Sequence, residues 1–161
     1  MRAFGEPDAK PLYEIMEERG VLRYFPSPLP PPFERVQRLV QEQLEHWQEY
    51  GYGWWALERL QRPGMFIGWA GLQYLPETDE TEVGYLLGSA YWGRGLATEA
   101  ARASVRYGFE ELSLRQIVGI VHPDNVASQR VLEKAGLSCV ERAVYFNMDC
   151  YRYVVERSTF A

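Results

Sequence analysis

Tyr91-Trp-Gly-Arg-Gly-Leu-Ala-Thr-Glu99 joins an apolar, strand-like run, Val83 to Leu87, to a helical run that starts at Leu96. The glycines at 93 and 95 let backbone N–H groups approach a ligand without side chains in the way. The helix that follows aims unpaired N–H groups and a partial positive charge at the same point. Such a turn suits a pyrophosphate. Two commoner phosphate loops are excluded by residue type. A nucleoside-triphosphate loop needs Gly-Lys-Ser/Thr, whereas Gly95 is followed by Leu96. A dinucleotide fingerprint needs a small residue three places after its second glycine and a βαβ repeat upstream; Thr98 stands at that place and the repeat is missing. An ordinary turn that uses glycine for backbone freedom is the alternative.

Outward from this turn, hydrophobic spacing places the other elements. Asp8 to Gly20 reads as a helix with Leu12, Ile15 and Met16 on one face, and the proline run from Phe25 to Pro32 as a stiff extended connector. Phe33 to Tyr50 repeats Val36, Val40, Leu44 and Trp47 at helical spacing. Strands are expected at Trp54 to Leu60 and Met65 to Leu75, with Gln61-Arg-Pro-Gly as their hairpin turn, and at Thr81 to Leu87. After the helix from Leu96 to about Leu112 come a β-branched strand, Gln116 to Val121, and a helix, Val126 to Ala135, closed by Gly136. Leu137 to Arg142 and Tyr145 to Val155 read as closing strands. Helices, an antiparallel meander, then β-α-β-α-β-β describe an α+β domain with a mixed sheet.

Composition narrows the function. The 161 residues are one domain's worth, 1–161, at 47% hydrophobic and 24% charged. A formal charge of −5 with scattered Lys and Arg argues against a nucleic-acid surface and fits an amine-bearing partner better. No apolar run approaches the ~20 residues of a membrane helix and no secretory core follows Met1, so the expectation is a cytoplasmic protein with no membrane contact. Cys139 and Cys150 lack metal-ligand spacing, which predicts packed, reduced thiols and no metal. Five Trp and eleven Tyr exceed the needs of a small core and point to a pocket or a subunit contact, hence a homodimer.

A second segment, Asn125-Val-Ala-Ser-Gln-Arg-Val-Leu-Glu-Lys-Ala-Gly-Leu137, decides between the readings of the glycine turn. Together the two resemble the GCN5-related N-acetyltransferase superfamily. The turn is similar to that family's Gln/Arg-x-x-Gly-x-Gly/Ala loop, with Gly95 and Ala97 in the small-residue places. The second segment is similar to the branch of the ribosomal-protein-alanine acetyltransferases, Asn-x-x-Ser-x-x-Val-Leu-Glu-Lys-x-Gly-Phe. The likeness covers about residues 5 to 157. It implies a mostly antiparallel sheet flanked by helices, with splayed central strands that admit acetyl-CoA. It also implies that Trp92, Gly93, Arg94, Gly95, Leu96, Ala97 and Thr98 wrap the diphosphate, that the backbone of Leu86 and Leu87 pairs with pantetheine, and that Asn125 and Ser128 border the thioester. There are departures. Trp92 replaces the polar Gln/Arg, and Leu132 stands where many members carry a general-acid tyrosine. The family's opening strand is almost absent before Phe4, so the start is truncated or another element covers that edge.

Acetyl transfer to an amine needs a neutral amine, a donor to the developing oxyanion and relief of the leaving thiolate. The resemblance implies the Leu87 N–H for the oxyanion. Glu82, at the start of the strand leading to the cofactor, is the candidate base, against its reading as a solvated residue of the acidic turn. Ser128 is a candidate acid or cofactor ligand. His122, before a proline, reads as structural. Tyr145, Asp149 and Tyr153, placed on the last strand, echo the branch's Asp-x-x-x-Tyr ending, with Asp149 expected to be buried on a structural partner. An α-amine costs about 1 kcal/mol to deprotonate at neutral pH and a lysine about 4–5. One modest base therefore suits a protein N-terminal α-amine or a small low-pKa amine, with a non-catalytic acyl-CoA binder as the alternative from another class.

Overall fold

The computed structural model describes residues 1–160. Its strands are β1 (Arg2–Ala3), β2 (Trp54–Arg59), β3 (Arg62–Leu75), β4 (Glu80–Leu87), β5 (Gln116–Val121), β6 (Ser138–Tyr145) and β7 (Met148–Glu156). The helices are α1 (Ala9–Glu17), α2 (Phe33–Tyr50), α3 (Leu96–Glu110) and α4 (Val126–Lys134). One 7-stranded sheet runs in the order β1-β2-β3-β4-β5-β7-β6. Every neighbouring pair is antiparallel except β4 and β5. Among the described residues no helix is long and apolar enough to cross a membrane.

Strand alternation sorts side chains onto two faces, and each face has its own helices. Leu12, Val36 and Val40 of α1 and α2 pack with Trp54, Trp69 and Leu86 on one face. On the other, Val105 of α3 and Leu132 of α4 pack with Leu72, Val83 and Ile117. Val36 and Val40 lie one helical turn apart and are fully buried, each contributing about 1.5–3 kcal/mol. Trp54 and Trp69 stack in parallel with ring centroids 3.6 Å apart. Gly51 ends α2 in the left-handed conformation, φ 75°.

Several local expectations are corrected. The hairpin turns at Leu60 and Gln61, one residue before the anticipated site; Arg62-Pro-Gly already belongs to β3, which pairs there through shifted register. α1 stops at Glu17, and turns carry the chain onward through Gly20. The last hairpin turns at Phe146 and Asn147, both with positive φ, so Tyr145 ends β6 and does not lie on the final strand. Arg2–Ala3 itself covers the outer edge of β2. Cys150 is buried, but Cys139 is exposed on β6, where one side of the hairpin has no covering helix.

β3 crosses β4 closely at Gly68. A Cβ built there would sit 2.0 Å from the Leu86 carbonyl oxygen, and φ is +148°. Gly68→Ala is therefore expected to cost about 3 kcal/mol or more, because backbone on both strands must move. A chemical-denaturation midpoint equal to that of the unsubstituted protein would contradict this.

Candidate active site

β4 and β5 share a single registered pair, Glu82 opposite Val118. Beyond it the strands separate. β3 takes every second residue of β4: Gly88 N–H donates to Ile67 O at 3.0 Å, which makes Gly68–Leu87 a pair without mutual hydrogen bonds. By this alternation Leu86 spends its backbone groups on Trp69, while Tyr85 and Leu87 turn theirs towards the gap. Of the two backbone positions expected to receive pantetheine, Leu86 is thus corrected, since its N–H and C=O belong to the β3 ladder. The Leu87 carbonyl accepts a 2.9 Å hydrogen bond from the Trp92 indole N–H, and the Leu87 N–H is the donor that faces the opening.

The same strand ends in the glycine turn. Gly93 and Gly95 both adopt left-handed backbone, φ 70° and 76°, and Gly95 is the residue that starts α3. A Cβ at either would meet nothing within 4 Å, so glycine is demanded by conformation and not by space. Leu96, Ala97 and Thr98 form the first turn of α3 and direct its unpaired N–H groups outward. Trp92 is half exposed beside them, and Arg94 is exposed. These residues can hold a diphosphate through backbone amides at a helix start.

Across the gap, Asn125 caps α4. Its side-chain oxygen accepts from Ser128 N–H at 3.1 Å. The Ser128 hydroxyl lies 2.8 Å from the Tyr85 hydroxyl. Leu132, one turn further, is buried against Gly119 and is a core residue with no proton to give. Tyr85, which sequence reasoning passed over, packs against the buried cluster that holds Leu87 and Ala100, a cluster that Leu96 and Ala97 of α3 also border. The Tyr that follows Gly84 is the only sequence signal for it, and an apolar strand absorbs such a residue without notice.

Glu82 points to the opposite face of β4, the side of Trp69 and Gly84. Burial pushes its carboxyl up to about 8; the Ile120 N–H works against that rise, and the charge of Glu80 adds to it. Glu80, on the same face, behaves differently. Burial would raise it, but hydrogen bonds from Tyr145 at 2.6 Å and Arg152 at 2.5 Å prevail and hold it below the ordinary carboxylate range. Tyr145 in turn is pushed up to about 12 by burial and by Glu80. Arg152 also reaches Gln116 and Glu141 at 3.3 Å, closing the paired end of β4 and β5.

The Glu82 shift has a stability consequence. Between 4.5 and about 8 the folded state holds the proton that the unfolded chain has lost. Stability is therefore greatest below about 4.5 and declines as pH rises through about 8. Glu82→Gln removes this decline. Its melting temperature should exceed the parent's at pH 8–9 by the equivalent of about 1–3 kcal/mol and match it under acidic conditions, as calorimetry at both pH values would show.

The remaining candidates fall outside the gap. His122 accepts from Asp124 N–H at 3.1 Å and stacks on Tyr24 with ring centroids 5.3 Å apart. Asp149 is exposed and pairs with Arg142, which corrects its expected burial; both side chains of the pair are more than half exposed. Tyr153 is buried and its hydroxyl reaches Glu133 at 3.4 Å. Among the described residues no group of His, Cys, Asp and Glu is arranged to hold a metal ion.

Comparison with known proteins agrees with this geometry. Residues 1–138 match the acetyltransferase (GNAT) domain model. The FsC-acetyl coenzyme A-N(2)-transacetylase of Aspergillus fumigatus is 40% identical over 92 residues, covering 52% of this chain and 38% of that protein. The uncharacterized N-acetyltransferase YoaA of Bacillus subtilis is 29% identical over 137 residues, 84% of this chain and 77% of that one. The chain spans about half or less of the length of the first curated relatives it matches, 38% and 52%. The acetyltransferase of Agrobacterium tumefaciens superimposes with a TM-score of 0.83 at 27% identity, over 96% of this chain and 88% of that one. A spermidine N-acetyltransferase of Vibrio cholerae, solved with CoA and spermine, does so with a TM-score of 0.78 at 18% identity, over 98% and 95%. A glycine turn opening a helix at the mouth of a divided sheet, with a domain model matched across most of the length, leads to one conclusion: the chain belongs to the acetyltransferase (GNAT) domain family.

Proposed function

We propose that this chain transfers the acetyl group of acetyl-CoA to a primary amine, directly and without an acyl-enzyme, and that its acceptor is the N-terminal α-amine of a protein. The observation that supports the reading best is the division of labour across β4. The Leu87 N–H faces the gap, Glu82 lies on one face, and Tyr85 with Ser128 lies on the other. The amine approaches from the Glu82 face, its lone pair forms the N–C bond, and the carbonyl oxygen takes up charge at the Leu87 N–H. The C–S bond then breaks with its electron pair leaving on sulfur. Glu82 accepts the amine's proton, through a water where the reach demands it. Acetyl-CoA supplies the activated acyl carbon, and Trp92 to Thr98 hold its diphosphate.

The acceptor follows from proton affinities. A carboxyl with a value of about 8 is matched to an α-amine, ordinarily about 7.7–8.0, and poorly matched to a lysine. A small-molecule amine is the second reading, favoured by the 40% identity to the A. fumigatus N(2)-transacetylase. Incubation with acetyl-CoA and panels of peptides and free amines, followed by mass spectrometry, separates them. Acetylation of peptide N-termini is expected; modification of free amines alone would overturn the peptide reading, and no modification of any amine would overturn the enzyme.

A further inference from the structure

The Leu87 carbonyl is an acceptor that β4 presents at the mouth of the gap, and a side chain of the same chain already holds it. Gly68 and Leu87 form a pair without mutual hydrogen bonds, so the backbone groups of Leu87 turn away from β3 and towards the opening. The Trp92 indole N–H donates to that oxygen at 2.9 Å. Trp92 follows a single helical turn, Ser89–Tyr91, and its backbone N–H donates to Ser89 O at 3.2 Å. Both N–H groups of the residue are thus engaged within the chain. That backbone bond on one side and the left-handed Gly93, φ 70°, on the other fix where the side chain starts, so the indole changes place by rotation about its own bonds. The other four tryptophans are packed: Trp54 and Trp69 lie in the core, and Trp47 and Trp55 meet edge to face at 5.4 Å. Trp92 is 50% exposed and has little packing to hold its ring against a competitor.

The pantetheine arm of CoA carries amide N–H groups, the donor that an open strand edge receives. A backbone carbonyl has two lone pairs, but here the indole ring, and not its N–H alone, stands on the side that faces the gap. We propose that the Trp92 indole and a pantetheine amide compete for the Leu87 carbonyl, so that the carrier seats its arm by displacing the ring; this rests on the acetyl-transfer reading, which makes CoA the ligand of the gap. One N–H···O bond is exchanged for another, and no proton moves. The indole acts as a stand-in for the arm, and the apparent affinity for the carrier falls by the fraction of time the ring is in place. Rotation of an exposed side chain takes picoseconds to nanoseconds, so the competition acts on affinity and adds no slow step to binding.

Two measurements test this. In the first, tryptophan is labelled with ¹⁵N, and the Trp92 indole signal is identified by its loss in Trp92→Phe. Saturation with pantetheine should shift this signal and speed the exchange of its hydrogen with solvent, because the bond to Leu87 is given up. In the second, Trp92 is replaced by benzothienylalanine, which keeps both rings and exchanges the N–H for sulfur. This variant should bind pantetheine about 2–10-fold more tightly than the parent, the factor that belongs to one neutral hydrogen bond. Trp92→Phe should move in the same direction. A ring with only a structural role would leave affinity unchanged or weaken it when altered. An indole signal that does not respond at saturation, or unchanged or weaker binding by the benzothienylalanine variant at the parent's melting temperature, overturns the proposal while acetyl transfer stands. Failure of the parent to bind either CoA or pantetheine overturns both.

Discussion

Glu82→Gln is expected to lower kcat by about 10²–10⁴-fold with an α-amine acceptor, the range for loss of a positioned general base. Burial places the carboxyl at about 8, so near neutral pH about a tenth of it is ionised, a cost of about 1.4 kcal/mol. A stronger base partly offsets that cost. In the parent protein kcat should rise nearly tenfold per pH unit below about 8 and level off above it. The variant should lose this limb from kcat, while kcat/KM keeps the rise that belongs to the free amine. Steady-state rates of thiol release across pH 6 to 9.5 read both. A variant with the parent's profile would remove Glu82 from the chemistry and return it to the acidic turn.

Gly95→Val should weaken acetyl-CoA binding by about 10–100-fold. A β-branched residue cannot hold the left-handed backbone observed there, φ 76°, and nothing crowds the position, so the whole penalty is conformational. Relaxing it swings the amides of Leu96, Ala97 and Thr98 away from a shared focus. Titration calorimetry should show the loss with CoA and little change with a pantetheine fragment that lacks the diphosphate. The core of α3, where Ala101 and Val105 are fully buried, lies further along, so the backbone penalty of about 1–2 kcal/mol should lower the melting temperature by only a few degrees. Equal weakening for both ligands would mean that the turn has only a structural role.

The glycine turn and the Asn125 segment were legible because both are backbone solutions: a left-handed residue and a helix cap leave residue-type signatures that need no partner. Glu82 was legible as a residue at a strand start, but its environment was not. Its neighbours across the sheet, Gln73 on β3 and Val118 on β5, are separated from it in sequence. Tyr85 and its bond to Ser128 span 43 positions and could not be read from spacing. The clamp of Arg152 on Glu80 spans 72. Turn positions slipped for a local reason. Arg62-Pro-Gly has the composition of a turn, yet Gly64 N–H donates to Glu58 at 3.1 Å and draws the triplet into an irregular ladder. Asp149 was misread because a carboxylate near a terminal strand says nothing about whether a helix covers it.

The two-residue pitch of β4 has an evolutionary reading. Positions 80, 82 and 84 look one way and 85 and 87 the other, so the even-numbered set can drift towards a new nucleophile while the odd-numbered set keeps its grip on the donor. A single-residue insertion in this strand would exchange the two surfaces and destroy both. Point replacement, never a change of length, is therefore the route by which descendants of this chain could acquire new acceptors.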